Sequence, residues 1–122
     1  MTNISVINDL LENIKNITYY YVKKEYKYYL KQESKKYMEL DEIQNFSNSL
    51  FDNNEVELKN YILEELNGNM MENRPDDKTI IDTIDEMIDD RDLVINRLVT
   101  EIDVYQIKKR DKKERKKKEK NH

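Results

Sequence analysis

Apolar residues recur along most of the chain at helical spacing. Ile4, Ile7, Leu11 and Ile14 form an i, i+3, i+7, i+10 stripe, widened by Leu10 and Ile17, and predict an amphipathic helix over 3–17. From Thr18 to Met38 no Gly or Pro interrupts, so the helix is expected to continue, with Tyr21, Val22, Tyr28 and Tyr29 near the same face. Leu40, Ile43, Phe46, Leu50 and Phe51 predict a second helix over 39–51, and Leu58, Tyr61, Ile62 and Leu66 a third over 55–66. Ile80, Ile81, Ile84, Met87 and Ile88 give the clearest single stripe, over 78–88. In 91–107, Leu93, Val94, Ile95, Leu98, Val99, Ile102, Val104, Tyr105 and Ile107 cover more than one stripe, which predicts a central helix. No segment alternates well enough to predict a strand.

The punctuation agrees. Asn54 followed by Glu57 fits a capping box, in which the Asn side chain takes an orphan amide and the Glu reaches back. Gly68 is expected to be a left-handed C-cap. A loop to Asp77 contains the only Pro, Pro75. Asp76 or Asp77 can cap the next helix, and Asp90 the one after, with Asp92 at its positive end. The expected fold is all-α, a small bundle of four to five helices with Ile62, Ile84, Ile88, Leu98 and Ile102 in its core. Three segments follow: a Tyr/Lys-rich helix in 1–37, a helical domain in 38–107 and a basic, disordered tail in 108–122.

Composition narrows the chemistry. The 122 residues hold no Cys, one Gly, one Pro and a single His, His122. Thiolate metal sites, disulfide scaffolds and histidine acid–base pairs are excluded, and one Gly cannot build a phosphate loop. No apolar run reaches a membrane span and no signal peptide is expected, so the reading is of an intracellular protein with no membrane contact. There is no Ala, against 14 Asn, 13 Ile and 9 Tyr. Asn, Ile, Lys and Tyr have AT-rich codons, so base composition accounts for this, and periodicity guides better than propensity. Aspartates at 76–77 and 89–92 are read as helix caps and not as a metal site. No catalytic residue, metal ligand, cofactor or small-molecule substrate is expected, and the protein is not expected to be an enzyme.

Charge is segregated. Residues 108–120 hold ten basic and three acidic residues, 15–37 hold seven lysines, two glutamates and seven tyrosines, and 38–107 hold five basic and 19 acidic residues. An acidic body thus lies between two basic segments, and any phosphate contact must come through one or both of them. Interleaved Tyr and Lys in 15–37 is a pattern of single-stranded nucleic acid sites, although Tyr packed inward with Lys outward gives the same spacing.

Residues 38–110 resemble the PWI domain, a four-helix fold of pre-mRNA splicing factors. Glu39-Leu40-Asp41-Glu42-Ile43 is similar to the start found in some members. Leu50-Phe51-Asp52-Asn53-Asn54-Glu55 is similar to the Leu-Gly-x-Glu-Glu break, Val56–Leu66 to the second helix, Ile80–Asp90 to the segment ending Leu-Asp-Asp, and Leu93–Tyr105 to the closing helix. The Pro-Trp-Ile tripeptide is absent, as in a related coiled-coil-containing adaptor family with a similar module. The resemblance implies RNA or DNA binding through the basic flank: Lys108, Lys109, Arg110, Lys112, Lys113, Arg115, Lys116, Lys117, Lys118 and Lys120. It implies a nuclear place in a pre-mRNA processing type assembly, with protein partners. The alternative expectation is a cytoplasmic helical adaptor that binds another protein and uses the tail for solubility or localisation.

Overall fold

In the computed structural model, which describes residues 4–68 and 75–120, five helices follow one another: α1 (Ile4–Gln32), α2 (Leu40–Asn53), α3 (Glu55–Gly68), α4 (Asp77–Asp89) and α5 (Asp92–Lys120). No strand occurs among the described residues, so the chain is an all-α bundle. Each predicted helix is present within a few residues of its expected bounds, except at the ends of α1 and α5.

α1 is the hub, packing against α2, α3, α4 and α5, while α2 makes its broadest contact with α5. The sequence placed 91–107 at the centre; the centre is shared with α1. Its buried row runs at strict i+4 spacing, Leu10, Ile14, Thr18, Val22, Tyr26 and Leu30. A row of step four drifts slowly around a helix of 3.6 residues per turn, so α1 can meet all four neighbours along its length. Thr18 lies in this row because its hydroxyl donates to the Ile14 carbonyl at 2.7 Å, which satisfies the group inside apolar surroundings. One core joins α1 to the other four helices, so the change of composition at residue 37 is not a break in packing. Ile62, Ile84, Ile88, Leu98 and Ile102 are all buried in it, as expected.

Several expectations need correction. Helix α1 does not run to Met38. It stops at Gln32, where Ser34 takes a left-handed φ of 53° and the Lys35 amide donates to the Leu30 carbonyl at 2.9 Å. With Ser34 N–H on the Lys31 carbonyl at 3.4 Å, this is a Schellman turn with Ser where Gly is usual. Gly68 is the last residue of α3 and has no positive φ, because the helix extends two residues beyond Leu66. The Asn54 amide points to the Glu57 carboxylate and to the Tyr21 hydroxyl, both at 3.4 Å, in place of a capping box. Asp76 does cap α4, accepting from the Thr79 amide at 3.1 Å. Asp90 is the C-cap of α4 and does not cap α5; the Arg91 carbonyl accepts the Ile95 amide there. Tyr28, Leu40, Ile81 and Leu93 are exposed: Tyr28 lies opposite the buried row of α1, Leu40 is the first residue of α2, and Ile81 and Leu93 lie at the edge of the faces that α4 and α5 bury.

The basic tail continues α5 as helix through Lys120, where disorder was expected. Lys, Arg and Glu are good helix formers, and 108–120 lacks Gly and Pro. Asp111 precedes Arg115 by four residues and Glu114 precedes Lys118 by four, the favourable order. The tail also extends a helix nucleated by packing, so it escapes the cost of starting one.

Candidate nucleic-acid interface

The Schellman turn at Ser34 reverses the chain beside α5. Residues 35–39 then run back along that helix to the start of α2. A clasp holds this segment: the Gln106 side chain donates to the Met38 carbonyl at 3.0 Å and accepts the Met38 amide at 2.7 Å. The Tyr26 hydroxyl donates to the same Gln106 oxygen at 2.6 Å. All three residues are buried. Thus α1, the connection and α5 are fixed against one another, and the two basic segments of the sequence meet on one side of the bundle.

Lys27, Lys31, Lys35 and Lys36 from the first segment and Lys109 from the second line one cleft of about 360 Å³. Its floor is Tyr26, Leu30 and Tyr105. Cations and rings are paired around it. Lys23 and Lys27 place their ammonium groups 4.3 and 5.1 Å from the centre of the Tyr105 ring, and the Arg110 guanidinium lies 4.8 Å over Tyr37. These contacts hold long cationic stems in place without neutralising them. No carboxylate lines the cleft among the described residues. At its rim Lys35 pairs with Glu42 at 3.0 Å. That hydrogen bond raises the Lys35 ammonium above its ordinary value and holds the Glu42 carboxyl below its own. Burial, with Tyr105 adding to it, pushes the Tyr26 phenol up to about 12, so it remains a neutral donor to Gln106 at physiological pH. Several ammonium groups around a partly apolar floor are chemically suited to an anion, with aromatic surface at hand.

Of the tail residues expected to bind, Lys109 enters the cleft, Arg110 covers Tyr37, and Lys108 and Lys112 are exposed on α5. The side chains of Lys113, Arg115, Lys116, Lys117, Lys118 and Lys120 lie outside the described residues. The site-residue expectation omitted Lys27, Lys31, Lys35 and Lys36. Their signal was present in the sequence as a Lys23, Lys27, Lys31, Lys35 row at i+4 spacing, matched by Tyr105 and Lys109 at the same spacing.

Among the described residues no group of three or more His, Cys, Asp or Glu side chains could hold a metal ion, and no helix is long and apolar enough to cross a membrane. Comparison of the chain with protein-family models, with curated proteins and with solved structures finds no match.

Proposed function

We propose that the protein is a non-enzymatic helical module that associates with nucleic acid, RNA in the first place, through phosphate contacts. One observation carries this reading: two basic segments separated by about seventy acidic-rich residues converge on a single cleft, with Lys27, Lys31, Lys35, Lys36 and Lys109 around it. Like charges gathered at one place repel, and an anionic partner relieves that repulsion. The PWI-like order of helices in 38–110 supports the same reading and extends it to a pre-mRNA processing type assembly in the nucleus.

The test is binding of labelled RNA and DNA, single- and double-stranded, at two salt concentrations, by the full chain, a 1–107 truncation and a Lys27→Gln/Lys31→Gln variant. If about five cations engage, log K should fall with log salt at a slope on the order of −3.5, so a fourfold rise in salt weakens binding roughly 100-fold. The truncation should lose most of the affinity and the lysine variant part of it. No binding at low salt, or a truncation that binds as well as the full chain, returns the protein to the second reading. That reading, a helical adaptor for a protein partner, is favoured by exposed Leu93, which with Leu11, Met87 and Val94 lines an apolar-walled cleft between α1, α4 and α5.

A further inference from the structure

Beside the lysine cleft, α1 carries a second row. Tyr20, Lys24 and Tyr28 follow at i+4 spacing, and this row lies alongside Lys23, Lys27 and Lys31. Tyr20 is 68% exposed and Tyr28 60%, the two most open tyrosines of the described chain. Neither ring belongs to the core. Tyr28 is held at its edge, where its hydroxyl accepts from the Gln32 amide at 2.7 Å. Tyr20 stands between two clefts, one bounded by Ile17 and Tyr61 and the other by Lys23. The two rings are about 12 Å apart along the helix, at 1.5 Å per residue.

We propose that this face of α1 is a stacking track that makes the site selective for single-stranded nucleic acid; the proposal rests on the phosphate-binding reading of the adjoining cleft. In a duplex the bases are stacked on one another and only their edges reach the grooves, so exposed tyrosines gain nothing from it. In a single strand the base faces are free and can lie on aromatic rings whatever the sequence. The lysine row holds the backbone and the tyrosine row, one step around the helix, receives bases. Lys24 between the two rings adds a cation where the strand passes from one to the other.

The experiment uses the full chain and fluorescence anisotropy with a mixed-sequence RNA single strand and the matching duplex. Three proteins are compared: wild type, Tyr20→Ala/Tyr28→Ala and Tyr20→Phe/Tyr28→Phe. Both positions are exposed, so circular dichroism should show all three folded. The alanine pair should bind the single strand at least roughly 25-fold more weakly, taking the lower end of the stacking contribution of each ring. Its duplex affinity should stay within about twofold, and its salt slope should not change, since no phosphate contact is lost. The phenylalanine pair should bind as wild type. Unchanged single-strand binding by the alanine pair, or equal losses for strand and duplex, overturns the stacking track while the phosphate reading stands. Wild type that binds neither ligand at low salt overturns both.

Discussion

Gln106 and Met38 exchange two hydrogen bonds, side-chain amide against backbone peptide, 68 residues apart in sequence. The pair imitates one rung of a β-ladder inside an all-helical protein. A primary amide can do this because it carries both a donor and an acceptor, and its oxygen has a second lone pair left for the Tyr26 hydroxyl. Gln106→Leu keeps the volume and removes the rung. The Met38 N–H, the Met38 carbonyl and the Tyr26 hydroxyl would then be buried without partners, which should cost about 3 kcal/mol and lower Tm by roughly 10 °C. A thermal melt that matches wild type would show that water replaces the glutamine.

Tyr26 gives this clasp a pH dependence. Its phenol titrates near 10 when unfolded and near 12 when folded, because burial disfavours the phenolate. Above pH 10 the unfolded chain loses the proton that the folded chain keeps, so the unfolded state binds fewer protons and stability falls as pH rises. Across pH 10–12 the loss should be on the order of 2 kcal/mol. Tyr26→Phe removes this share of the alkaline slope, which denaturant titrations at pH 9 and pH 11 would read. The Tyr19, Tyr21 and Tyr61 phenols are also raised, mainly by burial, so some slope remains in the variant.

Ile84 is fully buried in α4. Ile84→Asp places a carboxylate among apolar side chains with no partner, at a cost of several kcal/mol that a domain of this size cannot absorb. Circular dichroism should show an unfolded or grossly destabilised chain at room temperature.

The Ser47 hydroxyl is the opposite case, a fully buried group with no hydrogen-bond partner among the described residues. Ser47→Ala removes it from the middle of α2 and adds helix propensity. Stability should rise by about 1 kcal/mol, visible as a Tm higher by a few degrees.

Glu42 competes with any anion for Lys35, and both side chains are exposed. Glu42→Gln should leave the melting temperature almost unchanged, as surface pairs do, and tighten RNA binding roughly twofold by freeing the ammonium. Weaker binding would mean that the ion pair holds Lys35 in its binding position.

The helices were legible because each buries one stripe, and Ile62, Ile84, Ile88, Leu98 and Ile102 advertised theirs by spacing alone. The end of α1 was not, because Ser34 does at the turn what a Gly would have announced. Nor was the role of Gln106, a polar residue in an apolar stripe whose partner is a backbone peptide far away in sequence. The charge segregation was plain in the sequence, but its meaning depended on contact. Lys27 and Lys109 belong to one cleft only because the Gln106 clasp sets α1, the connection and α5 side by side. Tyr26 does not stand out in the sequence either, since its i+4 row mixes Thr and Tyr with aliphatics and does not read as a hydrophobic stripe.

Helix α5 is continuous from the buried Ile95 to the basic run, with no Gly or Pro between them. The compass bearing of Lys109, Arg110 and Lys112 is therefore dictated by side chains anchored in the core from about four turns earlier. Two residues inserted after Gln106 would leave every charge in the chain unaltered yet swing those cations by about 200°. Ile107 would then take the place of Lys109 in the cleft, and Arg110 would leave Tyr37. In this protein the phase of a helix, as much as its charge, decides what the basic segment can reach.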